Sequence, residues 1–394
     1  MVVLVLVAAS GVVVLNAGAG DSCWKPSRAT ARLADDPARA TRALDPGASG
    51  AQDDKLRSLL ADSHWKSCEG EPSASRVLGG ILIAATTGRP PGGAGAEAPA
   101  VRHTAGMARV LHASVSVLGD RGTTSFPPGF RPYAARLLAA WPASVNTGVS
   151  GYSEEAGAAR DPHAKEYRAR FDRDDHSTLA LTAIVERLAA DPESYALLYD
   201  ALRAHVAASL DPVRRADAHF GTGGGKDGKD GKGAKAAPPV ERTPHARLEG
   251  AIDTIAVLAH ARDTHLAEGT IEDGAAFDAA VLRHSRGGYA ASARPAAAAY
   301  APEGEAALRT PAKPARAWAA EGAAASQPRV RGARDTAAWF MDGRQQIRRT
   351  VNLWVRDREV PAADADRLRG ALDRSYQLAL SLRGSSGGDP GLGY

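Results

Sequence analysis

Asp172, Asp174, Asp175 and His176 form the densest set of potential metal ligands in the chain. Carboxylates beside an imidazole suit a divalent cation. A calcium loop of the EF-hand kind needs Gly at its sixth position and Glu at its twelfth. Counted from Asp172, those positions hold Ser177 and Ala183, so the pattern fails. A helix start, with acidic groups at the positive end of the backbone dipole, is the preferred reading. His163 and Glu166 are three residues apart, the spacing of carboxylate-bridged metal helices, but the pair has no second copy. A metal-dependent hydrolase around His163, Asp174 and His176 is therefore a second alternative only. His260 and His265 are five apart, do not share a helix face as His-Glu-x-x-His ligands do, and read as solvated surface groups.

Nucleophilic and phosphate chemistry find no frame. There is no Gly-x-Ser-x-Gly nucleophile elbow. The Gly-rich run 221–233 lacks both a preceding strand and the Gly-Lys-Ser/Thr ending that cradles phosphate. No catalytic, cofactor-binding or metal residue is assigned, and no cofactor is expected.

Arginines 331, 334, 344, 348, 349, 356 and 358, with Arg329 on the edge, are interleaved with Trp339, Phe340 and Trp354. Arginine with aromatics can grip phosphates and stack bases. The aromatics, however, share helical spacing with Ile347 and Val351, so a hairpin with an aromatic core and a wet arginine face is favoured over a nucleic-acid site. The chain carries 49 basic and 45 acidic residues, a formal +4, too little to imply nucleic acid.

The elements that would position these groups are helices. Of 394 residues 44% are hydrophobic, much of that alanine, and only 5% are aromatic. Alanine favours helix but buries little area, so a core must rest on Leu, Val, Ile and a few Trp. Long β-branched alternation is nearly absent, which disfavours a sheet protein. Asp35-Asp36-Pro37 opens a short helix, and Leu56, Leu59, Leu60 and Trp65 form a second apolar patch. Ser73 can cap a helix carrying Val77, Leu78, Ile81 and Leu82, in which Gly79 and Gly80 suggest a close backbone contact. Residues 100–118 form another helix, and Tyr133 to Val145 an apolar face that Pro142 should kink or end. Asp175 to Leu210 gives two amphipathic helices separated by an Asp191-Pro192 start signal. Tyr195, Leu198, Tyr199, Leu202, Val206 and Leu210 mark one face of the second.

The expected fold is all-α: a multi-helix array or bundle, then a flexible linker and a C-terminal helical hairpin. The boundaries are an apolar segment over 1–24, a main domain over 28–220 and a Gly/Lys/Asp linker over 221–239. A helical pair over 240–286 should pack on the main domain. An Ala/Pro-rich low-order segment over 287–334, a hairpin over 335–383 and a tail over 384–394 follow.

The order and spacing of several short words carry a resemblance. They are Leu33 to Thr41, Leu56 to Leu60 with Trp65, and Leu78 through Ala84 to Gly88. Further on come Arg131-Pro132 through Trp141-Pro142 to Asn146, and Asp191 to Ala196. Over Arg32 to Leu210, and more weakly to Tyr289, the chain resembles an uncharacterised family of large helical proteins from actinobacteria. Its members look like neighbours of small WXG-type hairpin proteins and type VII secretion loci. The resemblance implies a helical fold, a secretion-associated setting and a small helical-hairpin protein as partner. It supplies no catalytic residue. Family members extend further on the N-terminal side, which makes Val12 to Trp24 readable as the tail of a missing domain.

Residues 2–15 are strongly apolar and Ala17-Gly18-Ala19 looks like a signal-peptidase site, yet no Lys or Arg precedes the run. The run is short of the roughly 20 residues of a membrane span, and membrane association is left open. The missing positive region tips localisation towards the cytoplasm. Cys23 and Cys68 would form one disulfide in an exported chain; two isolated thiols is the favoured reading. None of the nine tyrosines has an acidic residue four places on, unlike autonomous type VII substrates. The expected function is a non-enzymatic helical scaffold or interaction protein with a protein partner. Nucleic-acid binding through the Arg-rich hairpin is the disfavoured alternative.

Overall fold

Ser73 accepts a hydrogen bond from the Arg76 amide (3.3 Å) and starts a helix that ends at Gly88, whose left-handed φ of 68° suits glycine. Asp36 and Asp191 open their helices in the same way, accepting from the Arg39 amide (3.0 Å) and the Ser194 amide (2.8 Å), with Pro37 and Pro192 following. These local signals set the punctuation of an all-α chain.

The computed structural model describes residues 2–8, 11–17, 23–47, 53–61, 64–69, 72–91, 102–119, 126–127, 129–150, 157–161, 166–172, 176–210, 244–285, 337 and 340–386. The 221–239 linker, the 287–334 segment and residues 387–394 lie outside them. In chain order the elements are β1 (Val2–Ala8), β2 (Gly11–Ala17), α1 (Arg28–Ala31), α2 (Pro37–Leu44), α3 (Asp53–Leu59), α4 (Ala74–Thr87) and α5 (Ala105–Gly119). Then come α6 (Arg131–Ala139), α7 (Pro142–Ser150), β3 (Gly157–Asp161), β4 (Glu166–Arg170), α8 (Ser177–Leu188) and α9 (Pro192–Leu210). The last four helices are α10 (Pro244–Ala267), α11 (274–285), α12 (Gly343–Asp357) and α13 (Ala362–Ser386).

Strands correct the sequence reading in two places. The apolar run 2–17 forms an antiparallel pair in which Val2 faces Ala17 and Ala8 faces Gly11. Its density of valine suits extended backbone. β3 and β4 pair from Gly157↔Arg170 to Asp161↔Glu166 without β-branched residues. Tertiary bonds hold this hairpin: the Ala169 amide donates to Ser144 Oγ (3.1 Å) and the Tyr167 amide to the His103 carbonyl (3.3 Å). Context has overridden propensity. The C-terminal helix also runs through Ser386, beyond the boundary expected at 383.

α9 is the axis of the core. It packs against α6, α7, α10 and α12. Tyr195, Ala196, Leu198, Tyr199, Asp200, Ala201, Leu202, Arg203 and Ala204 are all buried, so the helix is enclosed around its whole circumference rather than along one stripe. Pro142 ends α6 and begins α7, and Trp141 between them is fully buried, its indole N–H donating to the Thr86 carbonyl (3.2 Å). The glycines of α4 have the expected reason: a Cβ at Gly79 would overlap the Tyr133 side chain, and one at Gly80 would press on Pro91. α10 packs on α7, α8 and α9, and receives α13 along its length. The C-terminal hairpin is thus built into the body through α9 and α10. Among the described residues no helix is long and apolar enough to cross a membrane.

Candidate functional site

Buried ionisable groups mark functional sites because burial and a specific charge partner perturb their chemistry. The densest such set in the described residues lies on α9. Asp200 and Arg203 are one turn apart, with Arg203 Nη1 3.4 Å from Asp200 Oδ1, and both are buried. The guanidinium lies 5.0 Å from the centre of the Phe340 ring, in cation–π geometry. Ser285, at the end of α11, stands beside the Asp200 carboxyl and helps hold its charged form, without closing a short hydrogen bond. Burial pushes the Asp200 carboxyl up to about 7, against the opposing pull of Arg203 and Ser285.

An aromatic ladder runs beside this pair. Phe277 of α11 meets Tyr195 edge-on (5.8 Å), Tyr195 meets Tyr199 (5.7 Å), and Tyr199 meets Phe340 edge-on (5.4 Å). The Tyr199 hydroxyl donates to the Phe340 carbonyl (2.9 Å). Burial raises both phenols, so they stay protonated donors. On the α10 side, Arg262 grips both carboxylate oxygens of Asp278 at 2.7 Å. The site therefore ties α9, α11 and the start of the C-terminal hairpin together.

Two histidines are held neutral by enclosure. His205 on α9 is pushed down to about 3 by burial and then by the Arg168 charge, and its Nε2 lies 3.3 Å from Ser209 Oγ. His103 is pushed down to about 3 by burial and then by Arg89; it stacks on Trp141 with centroids 3.6 Å apart.

Of the metal candidates at 172–176, Asp172 and His176 are described. His176 is exposed, with a left-handed φ of 64°, and makes no side-chain cap to α8. Asp172 instead braces that helix by backbone: its amide donates to Ser177 Oγ (2.8 Å), and its carbonyl accepts from the Thr178 amide (3.2 Å). The helix-start reading holds for position, but no acidic residue lies in the first turn. Glu166 begins strand β4, so it stands in extended backbone and not on a helix. His163, Asp174 and Asp175 lie outside the described residues. His265 Nε2 is 3.0 Å from the Glu186 carbonyl, while His260 is half-buried elsewhere on α10. Among the described residues no group of three His, Cys, Asp or Glu could hold a metal ion.

The Arg-rich hairpin is charge-matched. Arg344 reaches Asp342 (3.6 Å), Arg348 reaches Asp373 (3.1 Å) and Arg356 reaches Asp357 (2.9 Å). Phe340 and Trp354 are buried, which denies them to bases. Trp339, Arg329, Arg331 and Arg334 lie outside the described residues. A small apolar cleft of about 10 Å³ lies between α6, α7, α8, α9 and α10, lined by Leu138, Val145, Val185, Leu198, Leu202 and Thr254. Its one hydroxyl, on Thr254, is engaged with the Gly250 carbonyl (2.9 Å).

Cys23 and Cys68 are joined in a disulfide with Cα atoms 4.7 Å apart, which corrects the expectation of two isolated thiols. The spacing of 45 residues carried no signal for this pairing, because the intervening α1, α2 and α3 fold back to bring the two together. The buried Asp200–Arg203 pair was also missed. Asp200 and Arg203, one turn apart, read as the wet side of an amphipathic helix, and only the elements beyond residue 244 close over them.

Comparison with family models, curated proteins and solved structures returns no match.

Proposed function

We propose that this chain is a non-enzymatic helical scaffold whose outer C-terminal surface docks a helical protein partner. One observation carries the reading. On α13, Leu378 and Leu382 are 59% and 63% exposed and one turn apart, while Leu368, Leu372, Tyr376 and Ala379 are buried on the other side of the same helix. A helix that packs inward and still presents two large leucines to water has a second apolar edge.

The likeness of Arg32 to Leu210 to actinobacterial proteins found beside type VII secretion loci supplies the setting. It makes a small helical-hairpin secretion protein the first partner to try. Nucleic-acid binding is the weaker reading, since Arg344, Arg348 and Arg356 of α12 face acids and Phe340 and Trp354 are enclosed.

The test is titration calorimetry of the full chain against purified small hairpin proteins encoded beside its gene, with Leu378→Glu/Leu382→Glu alongside. Binding by the native chain, lost in the double variant at an unchanged melting temperature, supports the reading. Binding that survives the double variant, or no binding by the native chain, overturns it.

A further inference from the structure

We propose that the Cys23–Cys68 disulfide is a reducible clasp. It fastens the segment before α1 to the turn between α3 and α4, and reduction frees that corner while the α9 core stays folded. Cys23 is exposed and Cys68 only half-buried, so a small thiol can reach the bond without unfolding the protein.

What the clasp positions is specific. Beside it the Trp24 amide donates to the Lys66 carbonyl (2.6 Å), Trp24 and Ser67 form an isolated parallel bridge, and the Trp24 ring stacks on His64 (5.2 Å). The described residues of the turn it grips lean on their surroundings. His64 Nδ1 is 3.1 Å from the Leu59 carbonyl, Trp65 Nε1 donates to the Leu60 carbonyl (3.1 Å), and the Trp65 ring meets Phe130 edge-on (4.9 Å). Ser67 Oγ accepts from the Ala74 amide (2.5 Å), which places the clasped turn directly on the first turn of α4.

The chemistry balances with a low-molecular-weight thiol as reductant. Its thiolate attacks Cys23 Sγ, the Sγ–Sγ bond breaks, and Cys68 leaves as a thiolate that takes up a proton. A second thiol then resolves the mixed disulfide. Cys23 is left reduced and the two small thiols are oxidised to their own disulfide, a transfer of two electrons. Reduction returns a 45-residue separation to open-chain freedom, so the two sides are then held by non-covalent contacts alone.

Alkylation and hydrogen exchange of the full chain test this. Without reductant, iodoacetamide should label neither cysteine. After dithiothreitol under native conditions it should label both. Amides of 23–26 and 64–76 should then exchange roughly tenfold faster or more, with α9 and α10 unchanged. The melting temperature should fall by roughly 5–10 °C. Cys23→Ser/Cys68→Ser should match the reduced protein and ignore dithiothreitol. Labelling of both thiols before reduction, unchanged exchange at 23–26 after it, or exchange rising equally in α9 and α10 would each overturn the proposal.

Discussion

Gly343, the first residue of α12, sits against Ile255 of α10 so closely that a methyl group on its Cα would overlap the Ile255 side chain. The approach is what lets the C-terminal hairpin lie on the two core helices, with the Tyr199 hydroxyl near the same point. Gly343→Ala should cost about 1–3 kcal/mol by overpacking. Ile255→Ala opens space there, so the double variant should lose less than the sum of the single ones. Urea denaturation of the four proteins measures that coupling, and strict additivity would refute the contact.

Tyr199→Phe removes the donor to the Phe340 carbonyl and leaves that carbonyl buried without it. We expect a loss of about 1–3 kcal/mol in urea unfolding. Faster hydrogen exchange should appear around 340–357 before it appears in α4 or α5.

Leu198 is 4% exposed and lines the apolar cleft between α6 and α9. Leu198→Asp places a carboxylate where no described cation faces it, and the helical circular dichroism should be lost at 25 °C. An unchanged melting temperature would remove Leu198 from the core.

The buried titratable groups pull stability in opposite directions. His103 and His205 stay neutral in the fold down to about 3, whereas in the unfolded chain they gain protons near 6.5. Their contribution is therefore present above 6.5 and is lost as pH falls from there towards 3. Asp200 has the reverse sign. Its folded value near 7 lies above the ordinary 3.8, so its contribution is full below 3.8 and is lost as pH rises through 7. Two histidines outweigh one aspartate between about 4 and 6.5, and stability should fall on acidification. His103→Gln should flatten that fall, and Asp200→Asn should steepen it, in melting curves collected from pH 4 to 8.

Helix punctuation was readable from residue types alone. Asp36-Pro37, Ser73 and Asp191-Pro192 act within one turn of themselves, so nothing distant can change their meaning. The same holds for Pro142, which separates α6 from α7 wherever the rest of the chain goes. Partners from far along the chain were not readable. Asp200 and Arg203 look like surface charge until Phe340 and Ser285 cover them, and β3–β4 exists because Ser144 and His103 offer acceptors to its amides. The disulfide depends on how three helices turn, which no local pattern records.

The Tyr199–Phe340 bond spans 141 residues, and its consequence lies in biosynthesis. At the usual pace of a ribosome, α9 emerges roughly 7–30 s before the aromatic ring that completes its enclosure. During that interval the nascent chain carries an open apolar trough, making it a natural client for a holding chaperone, and the body of the protein can close only after Phe340 has been made.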